Sequence, residues 1–159
     1  MKKANSDSAV VWKLKSGMDR RFRSGHPWVY SNELAESPKG LVPGGEVELQ
    51  DTSGRFLARG YGNPASLIAF RTVSRDESEK DALSSAGFER RLLESLEVRE
   101  RLGLRHVSFR WVFGEADGLP GLVIDRYVIA RNAGENGGSS PVSQVIVVQA
   151  HTAGMDRRL

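Results

Sequence analysis

The chain has 159 residues, 39% of them hydrophobic and 27% charged, enough to bury the core of one ordinary domain or two small ones and too apolar for intrinsic disorder. It has no cysteine, which excludes disulfides, thiolate metal sites and every thiol nucleophile, and no apolar run of membrane-spanning length. The net charge of +3 is unevenly spread: residues 1–27 hold seven Lys/Arg against two Asp, leaving 16 of the 23 basic and 18 of the 20 acidic residues for the rest. A basic segment on a nearly neutral body suits a polyanion-facing surface, with nucleic acid the commonest candidate, and it equally suits a solvated face.

Lysines interrupt the apolar stretch of the basic start, which is too short for a signal peptide, so the expected location is cytoplasmic with no membrane partner. Residues 10–14, VVWKL, read as a first strand. SGMDRRFRSG is a glycine-bounded turn or short helix, and HPWVYS resumes an extended course because Pro27 disfavours helix at His26. After the turn-forming SPKGLVPGG, EVELQD alternates with Val47 and Leu49 on one face. It pairs through Thr52, Ser53 and Gly54 with RFLARGYG as a hairpin, and SLIAFRTVS is another strand. These short, frequent strands form a small barrel-like unit ending near Ser74.

A charged linker, RDESEKD, leads into a helix whose apolar stripe is Phe88, Leu92 and Leu96, joined by Leu93 and Leu102. Arg90–Glu94 and Glu97–Arg101 are expected as i,i+4 pairs, and Gly103 as the stop. VSFRWVF, LVID and SQVIVVQAH read as strands, with a flexible loop at 131–141. Thr152 is the expected N-cap of a helix that the chain leaves after about two turns, which suggests a truncated protein. Trp12, Trp28, Phe109, Trp111 and Phe113 are taken as core.

GEADGLPGLVIDRY sets Glu115 and Asp117 beside a glycine- and proline-rich turn. Two carboxylates at this spacing on an extended segment share a side, as an acid–base pair or a divalent-ion site would require. His26, His106 and His151 have no ligand spacing among them, and the local sequence adds only Asp125. The hairpin reading accounts for more residues: Pro120 and Gly121 are the central pair of a type II turn, while Glu115, Asp117, Gly114 and Gly118 shape the connection before it.

SGHPWVYSNEL, GRFLARGYGNPASLIAFR and above all GEADGLPGLVIDRY resemble the N-terminal half of the S-adenosylmethionine-dependent 23S rRNA cytosine-C5 methyltransferases. The resemblance implies an α+β fold: a PUA-like RNA-binding pseudobarrel over residues 1–75, then a central helix-plus-antiparallel-sheet domain over 76–159, truncated at its C-terminus. The family's Rossmann-like methyltransferase domain is expected to be absent from this chain, as is the strand, glycine-rich loop and helix that seat a nucleotide cofactor. S-adenosylmethionine is therefore a cofactor of the full-length family and none is expected here. Cytosine C5 methylation in the family proceeds through a cysteine thiolate, which this chain lacks, so the chain alone is expected to be inactive, with no catalytic, cofactor-binding or metal-ligating residue.

For a PUA-like first domain, the expected RNA-binding residues are Lys13, Lys15, Arg20, Arg21, Arg23 and His26, extended by Arg55, Arg59 and Arg71. Arg55 and Arg59 are expected on one strand face. The residues 115–121, with Glu115, Asp117, Gly118, Pro120 and Gly121, form an interdomain hairpin expected to pack toward the missing methyltransferase domain. The expected partner is RNA, 23S rRNA in particular; the oligomeric state stays open, a homodimer included. A freestanding PUA-type RNA-binding or protein-interaction adaptor is the alternative, and a small hydrolase built on Glu115 and Asp117 a third.

Overall fold

Five short strands wrap into one curled sheet because their β-branched and aromatic residues alternate toward a common interior. The computed structural model describes residues 10–38, 40–129 and 143–159, so the basic start at Lys2 and Lys3 and the loop expected at 131–141 lie outside the described residues. The first sheet contains β1 (Val10–Lys13), β2 (Trp28–Tyr30), β3 (Gly45–Gln50), β4 (Phe56–Gly62) and β5 (Ile68–Ser74), in the order β1-β3-β4-β5-β2. A short helix, α1 (Asp19–Arg23), lies between β1 and β2.

β3 and β4 form the expected hairpin, and every pairing is antiparallel except β1 with β3, where Trp12 faces Leu49. The two edge strands meet beyond their ends. Leu14 bridges Leu34, with Lys15 N–H donating to Glu33 O at 2.8 Å and Ala35 N–H to Lys13 O at 2.8 Å, so the sheet closes on itself as a pseudobarrel. Trp12, Leu14, Val29, Val47, Leu49 and Phe70 fill it, and Phe22 of α1 plugs one end at a ring separation of 6.3 Å from Phe70.

The second unit packs α2 (Ser85–Arg101) against a sheet of β6 (Phe109–Phe113), β7 (Leu122–Ile129) and β8 (Ser143–Ala150), antiparallel in that order. Ser84 caps α2 by accepting from the Gly87 N–H at 3.1 Å, and Gly103, with φ of 77°, ends it as expected. Thr152 caps α3 (Ala153–Asp156) in the same manner. Among the described residues no helix is long and apolar enough to cross a membrane.

Two apolar patterns come out differently from the sequence expectation. Leu93 and Leu102 are 59% and 69% exposed, while Arg91 and Ser95 of the same helix are buried beside Phe88 and Leu92. Arg91 goes inward because acceptors meet it there: Glu79 Oε2 at 2.8 Å, Gly87 O at 3.0 Å and Val73 O at 3.2 Å. Arg90 pairs with Glu79 and Asp81 rather than Glu94, whereas Glu97–Arg101 forms. In β6 a register shift between Arg110 and Val112 turns Val112 inward and leaves Phe113 58% exposed, against the expected alternation.

The second core is not built from the second unit alone. Tyr61 of β4 and Val73 of β5, on the outer face of the pseudobarrel, pack with Val112, Leu119, Leu122, Ile124 and Met155. Gly154 of α3 allows this approach, since a Cβ there would lie 2.6 Å from the Tyr61 ring and 3.0 Å from Gly44 Cα.

Candidate nucleic-acid interface

The nine residues proposed to face RNA divide by what each side chain already holds. Lys13, Lys15 and Arg20 are exposed where β1 passes toward α1, and none forms an ion pair with a described carboxylate; Lys15 Nζ donates only to Asn32 O, at 2.8 Å. Arg20 borders a shallow hollow shared with Gly17, Met18 and Ser24. These three cations keep uncompensated charge at the surface, which a phosphate backbone can neutralise.

The other six are engaged in the fold. Arg21 grips both Glu33 oxygens at 2.9 and 2.7 Å, stacks over Tyr30 and reaches His26 Nε2 at 2.9 Å, so Arg21 and His26 brace the β1–β2 connection. The Trp28 backbone N–H donates to His26 Nδ1 at 3.3 Å. Arg23 bridges Asp19 and Asp51, and hydrogen bonding to Asp19 holds its guanidinium pKa above the ordinary value. Arg55 is 72% exposed at its side chain but also bonds Asp51, the hub of the 51–55 turn. Burial would raise the Asp51 carboxyl; the bonds from Arg55 and Ser53 outweigh it and lower the pKa.

Arg59 corrects the expected shared face with Arg55. Leu57 is the extra residue where the register passes from Ala58 to Phe56, and the bulge breaks the period-two alternation between the arginines. Arg59 is instead buried, donating to Glu48 Oε2 at 2.9 Å and Glu77 O at 3.0 Å, and cannot lie on an RNA-facing surface. Arg71 is 14% exposed at its side chain and points into the seam between the two units. Arg75, unmarked by sequence pattern, lies over Phe22 at 4.1 Å and donates to Phe22 O and His26 O; burial lowers its pKa.

The acidic loop has its own structural assignments. A 3-10 turn over Gly114–Asp117 turns at Gly118, and Leu122 N–H closes on Leu119 O at 3.0 Å around Pro120 and Gly121. Gly121 has φ of 75°, and a Cβ there would come within 2.7 Å of Thr152, so no other residue fits the turn unstrained. Asp117 accepts from Arg99 Nη2 at 2.7 Å and from the Phe113 N–H at 2.7 Å. Glu115 Oε1 accepts from the Trp28 indole at 2.7 Å and Arg71 Nη1 at 2.9 Å, and Tyr61 O–H donates to Pro120 O at 2.8 Å.

The loop packs on the pseudobarrel, and Trp28 is half-buried in that contact rather than in the barrel core. With Glu115 Oε1 and both Asp117 oxygens already accepting protons from arginine, indole or backbone N–H groups, the two carboxylates are held as structural acceptors. Among the described residues no group of three His, Asp or Glu is placed to hold a metal.

Solved and curated proteins resemble this chain in fold and sequence. A candidate SAM-dependent methyltransferase from Streptococcus mutans superposes on 94% of the chain and 35% of its own, with a TM-score of 0.68 at 12% identity, a likeness of fold alone. A second candidate methyltransferase, solved with SAH, matches 73% of the chain and 30% of its own at a TM-score of 0.59 and 16% identity. The ribosomal RNA large subunit methyltransferase I of Klebsiella pneumoniae is 38% identical over 118 residues, 72% of this chain and 28% of that protein. Its Escherichia coli O139:H28 counterpart is 36% identical over 116 residues, 72% of this chain and 29% of its own. The chain thus spans less than a third of the length of these curated relatives. The PUA-like domain family matches residues 13–75, so the pseudobarrel that displays Lys13, Lys15 and Arg20 is a PUA-like domain.

Proposed function

We propose that this chain is the RNA-gripping portion of a SAM-dependent methyltransferase acting on 23S rRNA at cytosine C5, with the chemistry performed by residues outside it. The unit over residues 1–75 holds RNA, and the unit over 76–159 fixes the orientation of that grip. What carries the reading is the exposed cluster of Lys13, Lys15 and Arg20 on a PUA-like barrel, in a chain whose 38%-identical relative is named as a ribosomal RNA methyltransferase.

The described residues do not fit S-adenosylmethionine. Doubly wound sheets seat such a nucleoside where parallel strands run into helices, and among the described strands the only parallel neighbours are β1 and β3, whose connection runs through the five-residue α1 and then through β2. The chain also has no thiolate to add to cytosine C6 and make C5 nucleophilic.

Binding of single-stranded rRNA fragments measured by fluorescence anisotropy tests the grip. Three phosphate contacts give a slope of about −2 in log K against log salt between about 50 and 200 mM. Replacing Lys13, Lys15 and Arg20 together with glutamine removes about that much slope and weakens binding by tenfold or more at the lower salt. Unchanged affinity and slope in the triple variant would remove the basis for the reading. 5-Methylcytosine formed by the chain alone would overturn its non-catalytic part.

A further inference from the structure

We infer that the chain pairs with a second copy of itself through the open edge of β8, joining two three-stranded sheets into one of six strands. Among the described residues β8 ends its sheet, and its eight residues, SQVIVVQA, include no charge, no proline and no break in register. Val145, Ile146, Val147 and Val148 are between 37% and 49% exposed, on both faces of the strand. Long, regular, uncharged edges are what folded proteins avoid unless something pairs with them.

The ladder shows which backbone groups are open. His151 N–H donates to Gly121 O at 2.8 Å while Ala150 faces Leu122, so Ala150 and Leu122 are a pair that exchanges no bonds. Counting back by twos, Gln144, Ile146, Val148 and Ala150 turn their N–H and C=O groups away from β7, where no described residue meets them. The opposite edge of the sheet is closed. In β6 the Phe113 N–H donates to Asp117 Oδ2 at 2.7 Å, Arg110 O accepts from Arg99 Nε at 3.2 Å, and the bulge interrupts the register. With one edge open and the other closed, pairing stops at two copies.

The pattern of the strand names the partner. Outward-turned residues can face only outward-turned residues, and a two-fold axis at Ile146 sets that residue against its own copy, Val145 against Val147 and Ser143 against Gln149. Tyr127, which faces Val145, extends the resulting apolar stripe at both ends. Charge allows the approach as well. Asp125 is bound by Arg110 at 2.9 Å. Arg126 faces Ile146 and would stand three strand spacings, about 14 Å, from its copy, beyond a screening length of about 8–10 Å. A charged peptide finds no counter-charge on this strand, whereas a second β8 needs none. The pairing goes beyond the proposed RNA grip and does not depend on it.

Sedimentation velocity from about 1 to 300 µM tests this, a range suited to a single strand pair, which is a small interface. The mass is expected to rise from one chain toward two. Ile146→Lys keeps the β7 ladder and puts like charges on the axis, so it is expected to stay monomeric throughout with an unchanged far-UV circular dichroism spectrum. Because the chain has no cysteine, Ile146→Cys supplies a single thiol. It is expected to form a disulfide-linked dimer on mild oxidation about tenfold faster than Leu67→Cys, an exposed position between β4 and β5. Should Ile146→Lys lose its fold, the cross-linking comparison decides. A chain monomeric at every concentration, a dimer that persists in folded Ile146→Lys, a mass beyond two copies, or equal cross-linking at the two positions overturns the inference.

Discussion

Glu79 shows how much of this molecule is settled by single carboxylates. Burial by itself raises its pKa, but hydrogen bonds from Arg91, Ser74 and Arg90 carry it down to about 2. A depressed carboxyl stabilises the fold fully above its unfolded value near 4.5, and that contribution is lost as pH falls through about 2. Glu79→Gln is expected to cost on the order of 2–3 kcal/mol near pH 7, read by urea denaturation, with the gap to wild type closing as both approach about pH 2. A gap independent of pH would mean that Glu79 acts through packing rather than charge. Which cations stay available for RNA is decided at the same scale. The sequence marks Arg59 and Arg71 as candidates, but their acids, Glu48 and Glu115, lie 11 and 44 residues away, and only the folded topology brings them together. Lys13, Lys15 and Arg20 stay exposed, and none of them pairs with a described carboxylate, although Asp19 adjoins Arg20 in sequence and turns to Arg23 instead.

The elements themselves were largely readable. The β3–β4 hairpin, the span of α2, its stop at Gly103 and the Thr152 cap follow from local turn and capping chemistry, which acts over a few residues. What escaped depends on partners far along the chain. The parallel pairing of β1 with β3 needs the intervening α1 and β2 to cross to the other edge. Arg91 replaces Leu93 on the buried face of α2 only because Glu79 and the Val73 carbonyl await it. The bulge in β6 is equally silent in the sequence and gives a direct test. Val112→Ala is expected to cost about 2 kcal/mol in urea unfolding, while Phe113→Ser stays within about 0.5 kcal/mol; unbroken alternation demands the opposite order.

For the molecule as a whole, the architecture of pseudobarrel, helix and antiparallel sheet could be read in advance, but the sharing of a core between units could not. Tyr61 looks like an ordinary strand tyrosine until Leu119, Leu122 and Met155 are seen around its ring. With Tyr61 and Val73 in the second core, and Arg158 donating to Gly44 O at 2.6 Å across the seam, neither unit can unfold without exposing the other. Unfolding followed by tryptophan fluorescence and by far-UV circular dichroism is therefore expected to give one coincident transition, with Trp12 and Trp28 reporting on one unit and Trp111 on the other. Two separated transitions would show that the shared contacts contribute little.

A tyrosine rooted in one sheet with its hydroxyl clamped to the turn of the other also has a mechanical consequence. The pair acts as a stiff lever instead of beads on a string. For the RNA grip proposed above, a load at the Lys15 end would pass to the far sheet through this clamp and not through a free linker.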